Sequence, residues 1–189
     1  MNTIELVFSI DNYFEKLDNS IKIILLRKEK EILTYDILDT EKSKKNKLIF
    51  LKQKQYQMKI GEIWQEVLGS YKDYLNLKTG HSSGLDILSH TKKVAIELKN
   101  RTNTDNSSSK KSNLDKLAIF KKCNPEYICI YANINCDTEQ QTMKGSIKKI
   151  LHNKSELEIH IGYEFLKYIL KEDYISIIEL VKKTIDKYT

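Results

Sequence analysis

Residues 84–111, GLDILSHTKKVAIELKNRTNTDNSSSKK, decide how this chain is read. Two short apolar runs, residues 85–88 and 94–98, are separated by polar residues, the pattern of a β-hairpin. Side chains alternate faces along a strand, so Ala95, Glu97 and Lys99 share one face while Val94, Ile96 and Leu98 share the other. A hairpin centred between Thr91 and Lys92 sets Asp86 opposite Glu97 and Ile87 opposite Ile96. Directly opposed side chains have Cβ atoms about 5 Å apart. One register thus yields an apolar face and a face with two carboxylates and an amine. Like charges this close repel unless a cation or a proton intervenes. A hard divalent ion with oxygen ligands, Mg²⁺ foremost, relieves the repulsion and can activate a water. Lys99 then polarises that water or stabilises charge developing at a phosphorus.

Asp86 followed by Glu97-Leu98-Lys99 resembles the PD…(D/E)xK motif of type II restriction endonucleases, with Leu85 where the motif has proline. The likeness covers roughly residues 59–135, including the upstream KIGEIWQEVLG of residues 59–69 and the downstream NRTNT of residues 100–104. It implies a Mg²⁺-dependent, sequence-specific hydrolase of double-stranded DNA that leaves 5′-phosphate and 3′-hydroxyl ends. It further implies a homodimer cutting a symmetric site. Asp86 and Glu97 become the metal ligands, and Lys99 joins them as a catalytic group. An upstream helix supplies a third acid in many such enzymes, so Glu62 is the first candidate and Glu66, four residues on, the second. A repair or recombination nuclease with the same core, or a non-catalytic basic nucleic-acid-binding module, remains the alternative reading.

The chain has 189 residues and a formal net charge of +6, suited to one α/β domain and mildly favouring a polyanionic partner. Its lack of a long apolar run or a basic, apolar leader argues against a membrane span or signal peptide. Three cysteines read as reduced thiols of a cytoplasmic protein, and the four scattered histidines have no ligand spacing, so zinc is not expected.

Apolar residues at three- and four-residue steps predict one or two helices over about 11–34. The basic run of residues 39–59 reads as a solvated loop and helix whose lysines are equally suited to a DNA cleft. A helix over 59–75 should end near Gly69, with Ile63, Val67 and Trp64 packing. Residues 100–111 read as a polar loop leaving the metal-site strand. Asn100, Arg101, Asn103, Thr104, Asn106, Ser107, Ser108, Lys110 and Lys111 are its candidate DNA contacts. Ser112–Asp115 looks like a capping box opening a helix that stops before Pro125, and a buried strand follows over 127–134. Residues 137–155 give no clear pattern. A strand over 157–161 and helices over 163–170 and 173–188 close the chain, the last turning Ile175, Ile178, Val181 and Ile185 to the core.

The expected fold is a single-domain restriction-endonuclease-like α/β sandwich, with a mixed sheet of four to five strands flanked by helices. Residues 1–58 form its N-terminal helical region, 59–135 the catalytic core and 136–189 the C-terminal strand and helices.

Overall fold

The computed structural model describes residues 8–30, 32, 34, 36–78, 80–101 and 106–189. Its elements run α1 (Ile10–Leu26), α2 (Glu41–Gly69), β1 (Leu75–Asn76), β2 (Ile87–Ser89), β3 (Val94–Arg101), α3 (Ser107–Cys123), β4 (Ile128–Asn135), α4 (Glu139–Lys144), β5 (Ser146–His152), β6 (Ser155–Ile161), α5 (Gly162–Leu170) and α6 (Tyr174–Tyr188). A 3₁₀ turn, Lys171–Asp173, joins the last two helices. The strands form one six-stranded sheet in the order β1-β2-β3-β4-β6-β5. Its centre is parallel, β3 to β4 and β4 to β6, and its margins are antiparallel.

Alternation along β3 and β4 divides the apolar residues between two cores. Ile96, Leu98, Ile130, Ala132 and Ile134 pack with side chains of α1, α2, α5 and α6. Ala95, Cys129 and Tyr131 face the other way, against Leu114, Leu117 and Ala118 of α3. Helices therefore cover both faces, as the near-continuous apolar runs of parallel strands require.

The N-terminal helix region is tied down by buried hydroxyls. Tyr13 Oη donates to the Val67 carbonyl at 2.8 Å, and Tyr71 Oη donates to the Leu170 carbonyl at 3.0 Å and to Asp173 at 2.6 Å. These bonds join α1, α2 and the end of α5 around one aromatic cluster, in which Phe8, Tyr13 and Tyr71 meet edge-on or tilted.

Several boundaries differ from the sequence expectation. The first helix stops at Leu26, where Arg27 turns extended, rather than continuing towards residue 34. The basic run of residues 41–59 is no loop: it is the first part of α2, a 29-residue helix. Thr40 and Ser43 cap it reciprocally, and Lys, Gln, Glu, Leu and Met sustain it by intrinsic propensity where burial does not. The following helix starts at Ser107 rather than Ser112, because the Asn106 side chain accepts from the Ser109 N–H at 2.8 Å and caps it earlier. Two strands were unforeseen, the two-residue β1 and the edge strand β5, whose Lys148 and Lys149 hide its alternation. In α6 the buried positions are Ile177, Val181 and Thr184, with Ile178 and Ile185 half-buried and Ile175 exposed.

At Gly69 the end of α2 lies directly against β1. A Cβ there would lie 2.6 Å from Asn76 Cβ and 2.7 Å from the Asn76 backbone. Gly69→Ala must therefore push α2 off β1, and a loss of about 1–3 kcal/mol is expected by analogy with overpacked cores. Urea unfolding of the variant measures it; an unchanged midpoint would show that β1 yields freely.

Candidate active site

The hairpin has the register the apolar pattern demands. Ile87 pairs with Ile96, Leu88 with Ala95 and Ser89 with Val94. Asp86 sits one residue before β2; its N–H donates to the Ile96 carbonyl at 3.1 Å, one residue off the Ile87–Ile96 register, and its charge lies near enough to bear on Glu97.

Each carboxylate is held differently. Asp86 Oδ2 accepts the Leu98 N–H at 2.7 Å, and Oδ1 accepts Gln65 Nε2 from α2 at 2.9 Å. Glu97 is 3% exposed. Its Oε1 accepts Lys99 Nζ at 2.6 Å, while Oε2 is buried with no hydrogen-bond partner among the described residues. Burial pushes the carboxyl of Asp86 above the ordinary range, against the pull of the Leu98 N–H and of Lys99 and Lys116. Burial raises Glu97 too, and the neighbouring Asp86 charge adds to the rise while Lys99 and Lys116 oppose it.

Lys116 reaches this site from α3. Its stem lies against the backbone of Gly84, where a Cβ would meet Lys116 Cδ at 3.4 Å, and its Nζ donates to Asn113 Oδ1 at 3.3 Å. Lys110, one helical turn and a half earlier, sets its Nζ 5.9 Å from the centre of the Tyr131 ring, and Tyr131 is the neighbour of Glu97 on β4. Lys99 and Lys116 therefore act on the carboxylate pair, while Lys110 lies over the ring of the strand neighbour of Glu97.

The structure brings together Asp86, Glu97 and Lys99 and leaves Glu62 apart from them. Glu62 is clamped by Arg27, whose Nη1 and Nη2 donate to its two oxygens at 3.0 and 2.8 Å. Glu66 is engaged by Lys78 at 2.7 Å and Asn76 at 3.0 Å. The residue of α2 that touches the hairpin carboxylates is instead Gln65. Sequence reasoning sought an acid there and passed over the amide between two acids, although helical spacing puts it one turn beyond Glu62. Among the described residues no group of three or more His, Cys, Asp or Glu side chains converges to hold a metal.

The candidate DNA contacts divide in a comparable way. Asn100 and Arg101 end β3, and Asn135 Nδ2 donates to both the carbonyl and the Oδ1 of Asn100, at 3.0 and 2.9 Å. Asn103 and Thr104 lie outside the described residues. Asn106 is the cap of α3, and Ser107, Ser108, Lys110 and Lys111 form its first turns instead of a loop. Beyond the ends of β3 and β4 a cleft of about 630 Å³ opens, lined by Trp64, Asn100, Arg101, Asn135, Tyr163 and Lys182 among others.

The cysteines are free thiols, and burial pushes Cys129 up to about 11, so it is not a reactive one. No helix among the described residues is long and apolar enough to cross a membrane.

An open mixed sheet between helices, with acids and an amine gathered on its central hairpin, has the form of a restriction-endonuclease-like fold. The family model for Eco47II restriction endonuclease matches residues 13–188, and the chain belongs to that family. It is accordingly a nuclease of the restriction-endonuclease class. No curated protein matches the chain.

The two α2 side chains, Gln65 and Glu62, can be told apart by substitution. Gln65→Leu should slow cleavage about tenfold or more, by freeing the Asp86 carboxylate from a fixed orientation. Glu62→Gln breaks an exposed ion pair and should leave the metal concentration for half-maximal rate unchanged. Metal titrations of both variants check this, and a shift in Glu62→Gln alone would return that residue to the metal site.

Proposed function

We propose that this chain is a type II enzyme of the PD-(D/E)xK nuclease superfamily. It hydrolyses phosphodiester bonds at a specific sequence of double-stranded DNA, with Mg²⁺, as a cytoplasmic homodimer. The products carry 5′-phosphate and 3′-hydroxyl ends. The observation that carries this reading is the gathering of Asp86, Glu97 and Lys99, with the buried Glu97 Oε2 lacking any donor among the described residues. A carboxylate oxygen is costly to bury unpaired, by several kcal/mol as a rough order. Its retention is accounted for by a guest that brings positive charge.

The residues fit a hard divalent cation. Asp86 and Glu97 lie near enough for one charge to raise the other, and they offer only oxygen, the ligand type that suits Mg²⁺. When bound there, the ion would lower the pKa of a water and neutralise charge on the scissile phosphate. Lys99 is fixed by Glu97 and by its strand, so its ammonium is preorganised for the oxygens of a phosphorus that gains a fifth ligand. Gln65 and the Leu98 N–H keep Asp86 in one orientation while DNA arrives.

Asn100, Arg101, Asn103, Thr104, Asn106, Ser107, Ser108, Lys110 and Lys111 are proposed to contact DNA. Arg101 suits a two-point bond to a base edge, whereas Lys110 and Lys111 suit phosphates. The first turn of α3 carries no acid, so its backbone N–H groups add to the attraction for a phosphate. The Oδ1 of Asn106 is committed to the helix cap, which leaves its Nδ2 for DNA.

Plasmid DNA of known sequence, incubated with the purified protein and Mg²⁺, should give discrete fragments. Asp86→Ala, Glu97→Ala and Lys99→Ala should each cut at least about a hundredfold more slowly while melting as folded proteins. Near wild-type cutting by Asp86→Ala or Glu97→Ala would remove these residues from the site.

The raised carboxyls add a pH test. The folded chain keeps protons that the unfolded chain has already released, so without metal its stability falls as pH rises from the ordinary carboxylate range through the raised values. A cation takes the place of those protons. Ca²⁺ should therefore raise the melting temperature more at pH 8 than at pH 5. Equal gains at both pH values would place the ion elsewhere.

A further inference from the structure

Asn133 lies in the floor of the site and has no part in the roles given above. It is the β4 neighbour of Lys99, one alternation step beyond Tyr131, which neighbours Glu97. Ala132 and Ile134 turn into the core beneath α5, so Asn133 turns with Tyr131 to the side of the sheet that carries Glu97 and Lys99. It is 5% exposed, and its Oδ1 is buried with no hydrogen-bond partner among the described residues. Among those residues two buried acceptor oxygens, Glu97 Oε2 and Asn133 Oδ1, are thus left without donors on one face of adjacent strands.

A buried carboxamide oxygen without a donor costs about 1–3 kcal/mol, and a strand interior suits Val, Ile or Leu better. A purely structural side chain at this place would be apolar or bonded. The missing donor must come from a guest. Phosphate oxygens only accept, so DNA backbone cannot satisfy Oδ1. A carboxamide oxygen is uncharged and a weaker draw for a divalent ion than the carboxylates beside it. A water molecule has the hydrogens, and hydrolysis needs one at this face.

We propose that Asn133 is a positioning residue whose Oδ1 accepts one O–H hydrogen of the water that attacks the phosphorus. With that hydrogen fixed, a lone pair of the water is held towards the phosphate between Lys99 and Glu97. The inference rests on the nuclease reading and deepens it, naming a group that orients the second substrate of the reaction.

The test compares Asn133→Leu, which keeps the volume and loses the acceptor, with Asn133→Asp, which keeps an acceptor oxygen in place. Single-turnover cleavage is measured in Mg²⁺, cognate-duplex binding in Ca²⁺, and folding by thermal melting. Asn133→Leu should cut about tenfold or more slowly with binding within about twofold of wild type, and Asn133→Asp should cut faster than Asn133→Leu. A rate for Asn133→Leu within about twofold of wild type overturns the proposal, as does Asn133→Asp cutting no faster than Asn133→Leu. A rate loss matched by an equal loss of cognate affinity also overturns it, since Asn133 would then read a base. If Asn133→Leu does not fold, Asn133→Ala against Asn133→Asp carries the same comparison. Wild-type protein that cuts no DNA refutes the nuclease reading itself; a cutting wild type equalled by Asn133→Leu refutes only the role of Asn133.

Discussion

The pairing of Ile87 with Ile96 is the constraint on which the rest of the molecule depends. Strand side chains alternate with a period of two, so a slip of one residue would exchange the faces of the whole hairpin. Ile96 and Leu98 would leave the core beneath α1 and α2, and Glu97 would enter it. The apolar contacts forbid that slip, and in doing so they keep Glu97 off the core, on the side where the Asp86 charge bears on it. The polar face of the hairpin is therefore set by the packing of the opposite one. The Leu98 N–H illustrates the economy, since a main-chain donor of the core-facing residue holds Asp86 Oδ2 at 2.7 Å.

Holding two carboxylates in a buried place is unfavourable, and the surrounding elements moderate it. Lys99 lies along its own strand, Lys116 approaches from α3, and Gln65 donates an uncharged N–H from α2. An amide at position 65 fixes geometry without adding a third negative charge to a pair already raised by burial. Acids on the same helix are held elsewhere, Glu62 by Arg27 and Glu66 by Lys78. The helix thus contributes order to the site, and its negative charge is neutralised before it reaches the pair.

How much was legible in the sequence follows from what each signal reports. The hairpin, its register, β4, β6 and the ends of α2 and α3 were readable, because apolar alternation and helix stops are strong local signals. The start of α3 was not, since polar residues 106–111 carry no apolar period to mark a helix, and the Asn106 bond to the Ser109 N–H that caps it is a local contact only the structure displays. The lysine-rich start of α2 read as a loop leading into a helix because its first turns bury no side chain fully, yet a capped run of helix formers continuing into a packed helix has no reason to stop. Edge strand β5 was hidden for the opposite reason: with much of its length exposed, it has no clean alternation to find. In the site, the residues carried on one hairpin were legible together. Gln65, Lys116 and Asn133 come from three other elements, and their convergence is a property of the sheet order, which local periodicity does not encode.

That distinction bears on how the site is preorganised. Glu97, Lys99, Tyr131 and Asn133 stand on two adjacent parallel strands buried between helices, where neither backbone has room to move independently. Their separations are set by strand spacing rather than by loop conformation, which suits groups that must meet a developing charge at fixed distance. Arg101 and the first turn of α3 occupy the boundary of that rigid floor. Residues that must adapt to a duplex belong there, because a helix terminus and a strand end keep their donors outward. The same strand thus passes within a few residues from the groups proposed for hydrolysis to those proposed to hold DNA, so one register would bind the two together.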